Sequence, residues 1–259
     1  MNLTIQSLSK EEELAEKRRE LEAKTLLLAE RELELASLRS ELAYFERVYM
    51  KRVGRLYVEL DELRAKIAWR RARENRKDEA AQEEATAKNE QAWRSREEYE
   101  RSQRMPVLDL PPEKAEDLKA VYRRLAKACH PDATVDPQEK ERRTRLMADI
   151  NAAYASGDLE KLLQLEQELK SSPDTVSGEG IVAELSRISR QITQIDRRLQ
   201  EIVSEIDSLK SSPLWQLYQQ AKSYEARGVD MLAELADRVK KQIEEYKRQT
   251  EKPVQARSR

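Results

Sequence analysis

The chain has 259 residues, of which 38% are charged and only 5% aromatic, with five glycines and 49 basic against 50 acidic side chains. That is the profile of long helices and coiled coils rather than of one globule, and a net charge of −1 makes every charge argument a local one. One cysteine excludes an internal disulfide and fits a reducing compartment, no basic-then-apolar leader opens the chain, and no stretch approaches about 18 uninterrupted apolar residues; the expectation is a cytoplasmic, all-α protein without a membrane span.

From Leu14 an apolar position recurs every seven residues, through Leu21, Leu28, Leu35, Leu42, Tyr49, Leu56 and Leu63. Leu38, Phe45, Val53, Leu60 and Ile67 fill the complementary seam, so residues 9–77 are expected to form an N-terminal coiled coil. Ser9, followed by Glu12, is the expected N-cap. Arg18 and Thr25 stand where apolar partners belong, which predicts weak pairing at the N-terminal end. Gly54 interrupts the stronger half at a cost of about 1 kcal/mol relative to alanine, and either permits close approach of another helix or has no role.

Seven cations between Arg64 and Lys77 face one acid, Glu74. This is the one stretch with a nucleic-acid signature, but its aromatic content is limited to Trp69 and an acidic run follows at once; a solvated helical face is the better reading, and nucleic acid is not an expected partner. Residues 78–105 lose the apolar seam apart from Trp93 and Tyr99 and read as a charged helical spacer or linker.

Leu118, Val121, Tyr122, Leu125 and Cys129 then form one stripe of a 3.6-residue helix, with Lys119, Arg123, Arg124 and Lys127 off the stripe and no acid between Leu118 and Cys129. Such a face is suited to an acidic partner. His130-Pro131-Asp132 follows, and a second apolar series, Leu146, Met147, Ile150, Ala153 and Tyr154, predicts a helix folding back on the first. Pro131 stops the helix, His130 offers a donor or acceptor beside the helix end, and Asp132 is a short acceptor.

This segment, 106–170, resembles the J domain of DnaJ/Hsp40 co-chaperones: Tyr122 to Lys127 looks like that family's second helix, His130-Pro131-Asp132 like its signature loop, and Met147 to Tyr154 like its third helix. The resemblance implies a DnaK-type Hsp70 as partner and stimulation of that partner's ATPase. His130, Pro131 and Asp132 would carry the signal, and Tyr122, Arg123, Arg124 and Lys127 would dock. Where the family has a first helix, this chain has Met105 to Pro112 with three prolines, which forbid a normal helix; Val107, Leu108 and Leu110 would cover the hairpin in extended form. Cys129 stands where the family usually has an aromatic.

Gly157-Asp158 marks a helix stop and restart before the amphipathic stretch Leu159 to Leu169, and residues 171–180 read as a linker. Leu185, Ile188, Ile192, Ile195, Leu199, Ile202, Ile206 and Leu209 form the cleanest heptad in the chain. After the break at Ser211-Ser212-Pro213, one further helix is expected through Tyr246, so that 181–252 forms an antiparallel hairpin; parallel dimerisation of the heptad is the alternative.

One histidine and one cysteine, adjacent in sequence, cannot build a tetrahedral metal site, and no glycine pattern fits a phosphate loop. Neither a metal nor a cofactor is expected, and catalysis by the chain itself is disfavoured. The function expected is a co-chaperone whose coiled coils bind protein clients or self-associate; the alternative is a structural coiled-coil adaptor with a non-signalling J-like module.

Overall fold

The computed structural model describes residues 2–104, 112–170 and 180–251, with side chains for 10–104, 115–169 and 180–250. The chain is all-α, and no strand occurs among the described residues. The helices are α1 (Asn2–Tyr49), α2 (Arg55–Glu74), α3 (Glu79–Gln103), α4 (Pro112–Cys129), α5 (Pro137–Ser156), α6 (Leu159–Lys170), α7 (Ile181–Lys210), α8 (Pro213–Glu225) and α9 (Met231–Glu251). A π-helical turn, Met50–Gly54, separates α1 from α2, and a 3₁₀ turn, Pro131–Ala133, lies between α4 and α5. The stretch with Val107, Leu108 and Leu110, and residues 171–179 of the expected linker, lie outside the described residues. The helices divide into two compact units, one of residues 1–41 and 106–212, the other of 42–105 and 213–259.

In the first unit α1 and α7 run parallel. Arg18 binds Glu184 at 2.6 Å, Lys24 binds Asp196, Glu32 accepts from Arg198 at 2.8 Å and Arg39 binds Glu205 at 2.5 Å, so the partners climb both helices together. Leu14 packs on Ile188 and Ile192, with Leu21 and Leu185 beside them. The N-terminal end is therefore paired, because Arg18 meets a carboxylate of α7 where an apolar residue was expected. α1 starts at Asn2, upstream of the expected cap at Ser9. The first part of the α7 heptad, Leu185, Ile188 and Ile192, packs on α1, whereas the expected hairpin within 181–252 needs α8 and α9 as its cover; α7 belongs to the first unit and those two helices to the second.

α4, α5 and α6 form the rest of the first unit. Leu118, Val121, Tyr122, Leu125 and Cys129 of α4 meet Met147, Ile150, Ala153 and Tyr154 of α5, Leu162 and Leu165 of α6, and Ala29 and Leu33 of α1 in one core. α5 ends at Gly157, whose φ of 71° is left-handed and accessible to glycine without strain. Asp158 then caps α6, its carboxylate accepting from the Lys161 N–H at 2.8 Å.

The second unit is built around α2. α3 returns antiparallel to it after an Asp78 cap, with Ser95 donating to Asp61 at 2.7 Å near one end and Gln82 to the Ala72 carbonyl at 2.8 Å near the other. Ala68 and Ala72 face Ala81 and Ala85, so the helices meet through small residues. The segment read as a charged helical spacer or linker is helical, and it packs on α2. α9 covers α2 from another side in parallel: Leu60, Val239 and Ile243 form the contact, and Lys247 pairs with Glu59 at 2.7 Å. The single helix expected after Pro213 breaks at Gly228, φ 73°, and restarts with Asp230 capping the Ala233 N–H at 3.0 Å.

Gly54 closes the π turn. The apolar seam steps by seven from Leu38 to Phe45, by eight to Val53, and by seven again to Leu60 and Ile67. A π turn absorbs one extra residue in a helix. Inside it a Cβ on residue 54 would lie 2.6 Å from Sδ of the flexible Met50 side chain, and its nearest contacts are all with Met50 rather than with another helix, so a larger residue there asks Met50 for another rotamer.

All three tryptophans, Trp69, Trp93 and Trp215, lie in the second unit and the one cysteine in the first, so tryptophan fluorescence and thiol labelling report the two separately. Ala85 is fully buried. Ala85→Leu is expected to lower the stability of the second unit by about 1–3 kcal/mol through overpacking, read as an earlier urea midpoint in fluorescence with labelling of Cys129 unchanged; an unmoved midpoint contradicts the alanine interface.

Candidate functional site

The site begins where α4 must end. Pro131 has no N–H to continue the helix and restricts the residue before it, and His130 accordingly has extended backbone angles, φ −61° and ψ 132°. The Ala133 N–H donates to the His130 carbonyl at 3.1 Å, closing the short turn. Asp136 then caps α5, accepting from the Gln138 N–H at 3.1 Å, with Pro137 at the first helical position. Across the pair, the rings of Tyr122 and Tyr154 meet at a tilt of 59° with centroids 4.8 Å apart, and the Tyr122 hydroxyl donates to Asn151 at 2.7 Å. α4 and α5 are thus an antiparallel pair with the tripeptide at their turn.

Both ring nitrogens of His130 are engaged. Nδ1 accepts the backbone N–H of Asp132 at 3.1 Å, which leaves Nε2 as the protonated nitrogen of the neutral tautomer; Nε2 donates to Glu32 Oε1 at 3.1 Å. The histidine is 2% exposed and Glu32 6%. The same Glu32 oxygen accepts from Arg198 Nε at 2.8 Å, and Arg198 reaches on to Glu205 at 2.7 Å. Gln191 of α7 donates to the Ala133 carbonyl at 2.9 Å. The turn is therefore covered by α1 and α7 together.

The electrostatics follow from that burial. Desolvation pushes the Glu32 carboxyl up, but the hydrogen bonds from His130 and Arg198 outweigh it and hold the group below its ordinary value. For Arg198 burial opposes the charge, and the bonds to Glu32 and Glu205 more than restore it. Burial pushes the Cys129 thiol up to about 11, and its S–H donates to the Leu125 carbonyl at 2.9 Å, so this thiol is unreactive while the fold holds. At the head of α5, hydrogen bonds from Arg142 and then Arg143, acting against partial burial, hold the Glu139 carboxyl down to about 2.

The expected site residues separate into three groups. Tyr122 is fully buried, its phenol pushed far above its usual range by desolvation, and belongs to the core: its position on the stripe with Leu118 and Leu125 takes it away from any docking face. Arg123, Arg124 and Lys127 are exposed on the outside of α4. Arg124 forks onto Glu166 at 2.7 and 3.3 Å, and Lys127 lies 3.8 Å from Glu22. In the turn itself, Pro131 and Asp132 are half-buried and His130 is sealed; Asp132 takes the Lys140 ammonium at 2.9 Å.

Glu32, Gln191 and Arg198 are the residues of the site that motif reading overlooked. Their signal is a second heptad of polar residues. Arg18, Thr25, Glu32 and Arg39 recur every seven residues on α1, and Glu184, Gln191, Arg198 and Glu205 recur every seven on α7. Three of the four pairs are ion pairs, the middle one reversed in sense, and each joins residues 166 apart.

No family model, curated protein or solved structure matches the chain. Among the described residues no helix is long and apolar enough to cross a membrane, and no cluster of three or more histidine, cysteine or acidic side chains is placed to hold a metal ion.

Two outcomes test the network. Glu32→Ala leaves the His130 donor and the half-buried Arg198 short of an acceptor, and is expected to destabilise the first unit by about 2–4 kcal/mol, with native-state labelling of Cys129 at least ~30-fold faster; unchanged labelling contradicts it. Glu32 and Glu139 ionise more readily folded than unfolded, so their contribution is complete above the ordinary 4.5 and is lost as pH falls toward 2. Acid unfolding of the first unit, followed by the Cys129 thiol after neutral quench, should flatten in a Glu32→Gln/Glu139→Gln variant; an identical acid limb contradicts the assignment.

Proposed function

We propose that this protein is a J-type co-chaperone, cytoplasmic, which binds a DnaK-type Hsp70 through the outer face of α4 and stimulates its ATPase through the His130-Pro131-Asp132 turn. The observation that carries the reading is the antiparallel α4–α5 pair with that turn at its tip and Arg123, Arg124 and Lys127 exposed beside it. The chain breaks no bond itself. A cationic helical face attracts an acidic partner surface, and the turn biases the partner toward its hydrolysis-competent state. The coils of α1, α2, α7 and α9 would hold clients or a second copy.

A second reading, the structural adaptor in which the turn does not signal, is favoured by one observation, the 2% exposure of His130. It leaves the α4 face without a task.

The intact protein is expected to bind the Hsp70 ATPase domain with an affinity that falls as salt rises, because exposed charges are screened. An Arg123→Glu/Lys127→Glu variant should lose about tenfold or more, since like charges facing an acidic surface repel. Isothermal titration at low and at physiological salt checks this. No binding at low salt, or binding indifferent to both reversals, contradicts the proposal and leaves the adaptor.

A further inference from the structure

We infer that the coiled coil is an autoinhibitory latch on the His-Pro-Asp turn, with Glu32 of α1 and Arg198 and Gln191 of α7 holding the trigger closed while the cationic face of α4 stays open. This rests on the co-chaperone reading and adds its regulation.

The latch comes from outside the helical hairpin it closes. Within the hairpin, the turn is satisfied by its own groups: the Asp132 N–H by His130 Nδ1, the Asp132 carboxylate by Lys140, the Ala133 N–H by the His130 carbonyl. What α1 and α7 add is the cap on Nε2 and on the Ala133 carbonyl, two further polar groups of the turn. Those are groups a partner would need. Glu32 is a carboxylate among buried leucines, Leu28, Leu33 and Leu35, where a leucine would pack without desolvation cost. Its bonds go to His130 and Arg198.

The closure is also built to open. Along α7, Ile188, Ile192, Ile195, Ile202 and Ile206 are buried apolar residues, but the contacts that reach the turn are polar. Buried ion pairs hold geometry with little net stabilisation, and once water enters, each partner is solvated again. On the same helix the Gln194 side-chain oxygen is buried with no partner among the described residues, a polar group that gains a hydrogen bond when α7 lifts. Arg124 and Lys127, facing Glu166 and Glu22, remain about half exposed, so the partner can be recruited before the trigger is released. Docking and triggering are separated on one small module.

The test is single-turnover ATP hydrolysis by a DnaK-type Hsp70 with full-length wild type, Gln191→Ala, Arg198→Ala, Asp132→Asn and the Arg198→Ala/Asp132→Asn double variant, each also scored for Cys129 labelling. A turn open in a tenth of molecules delivers about a tenth of the stimulation. Arg198→Ala should therefore accelerate hydrolysis roughly tenfold more than wild type. Gln191→Ala, which strands no charge, should fall between, and both variants carrying Asp132→Asn should stay at the basal rate. Equal acceleration by wild type, Gln191→Ala and Arg198→Ala overturns the latch and leaves the co-chaperone reading standing. Basal rates in every sample, with Cys129 labelled faster in Arg198→Ala, overturn the co-chaperone reading and the latch's function with it.

Discussion

The parallel register of α1 and α7 is the constraint on which the site depends. Two apolar seams alone tolerate sliding by a heptad, because one isoleucine or leucine layer resembles the next. Polar residues at matching heptad positions remove that freedom, since a one-heptad slip sets Arg18 against Gln191 and Glu32 against Glu205. In the observed register Arg18 faces Glu184, Glu32 faces Arg198 and Arg39 faces Glu205. That alignment sets Arg198 beside the carboxylate that accepts from His130. Shift it by seven residues and Glu32 loses Arg198 and faces a second carboxylate, Glu205.

The polar contacts contribute specificity more than stability. Exposed pairs such as Arg18–Glu184 are worth about 0–1 kcal/mol each, whereas burying an isoleucine of the α7 heptad is worth about 1.5–3 kcal/mol. The coil is therefore held by its apolar layers and aligned by its charges. Around His130 the balance is reversed, because Glu32, Arg198 and Gln191 do the holding. The turn is thus held to α1 and α7 by polar contacts beside the apolar core that α4 shares with α1, α5 and α6, and polar contacts at a surface turn can open locally without global unfolding.

Much of the architecture was legible in the sequence. The stripe Leu118 to Cys129, the stop at Pro131, the return through Ile150 and Tyr154, the left-handed Gly157 and the restart at Pro213 all depend on local rules, and local rules are carried by neighbouring residues. Three features lay beyond them. The α2–α3 contact is made by alanines, which carry little hydropathy signal yet allow backbones to approach. The π turn is a single eight-residue step in a series of sevens, visible only when the whole seam is counted. The partner of α7 was hidden because it lies 166 residues away, and its sign is the complementarity of two polar heptads rather than any property of one. Tyr122 shows the converse: a residue that a motif assigns to a docking surface belongs to the core by its helical phase.

The chain contains one histidine, so its imidazole can be observed directly in the intact protein. Nitrogen-15 NMR of that ring, with hydrogen-exchange detection, tests the central claim that His130 is sealed between α1 and α7. A sealed ring is expected to show an Nε2–H tautomer with Nδ1 acting as acceptor, and an Nε2 proton protected from exchange by its bond to Glu32. An imidazole with averaged nitrogen shifts and a proton exchanging at the rate of free histidine would contradict it.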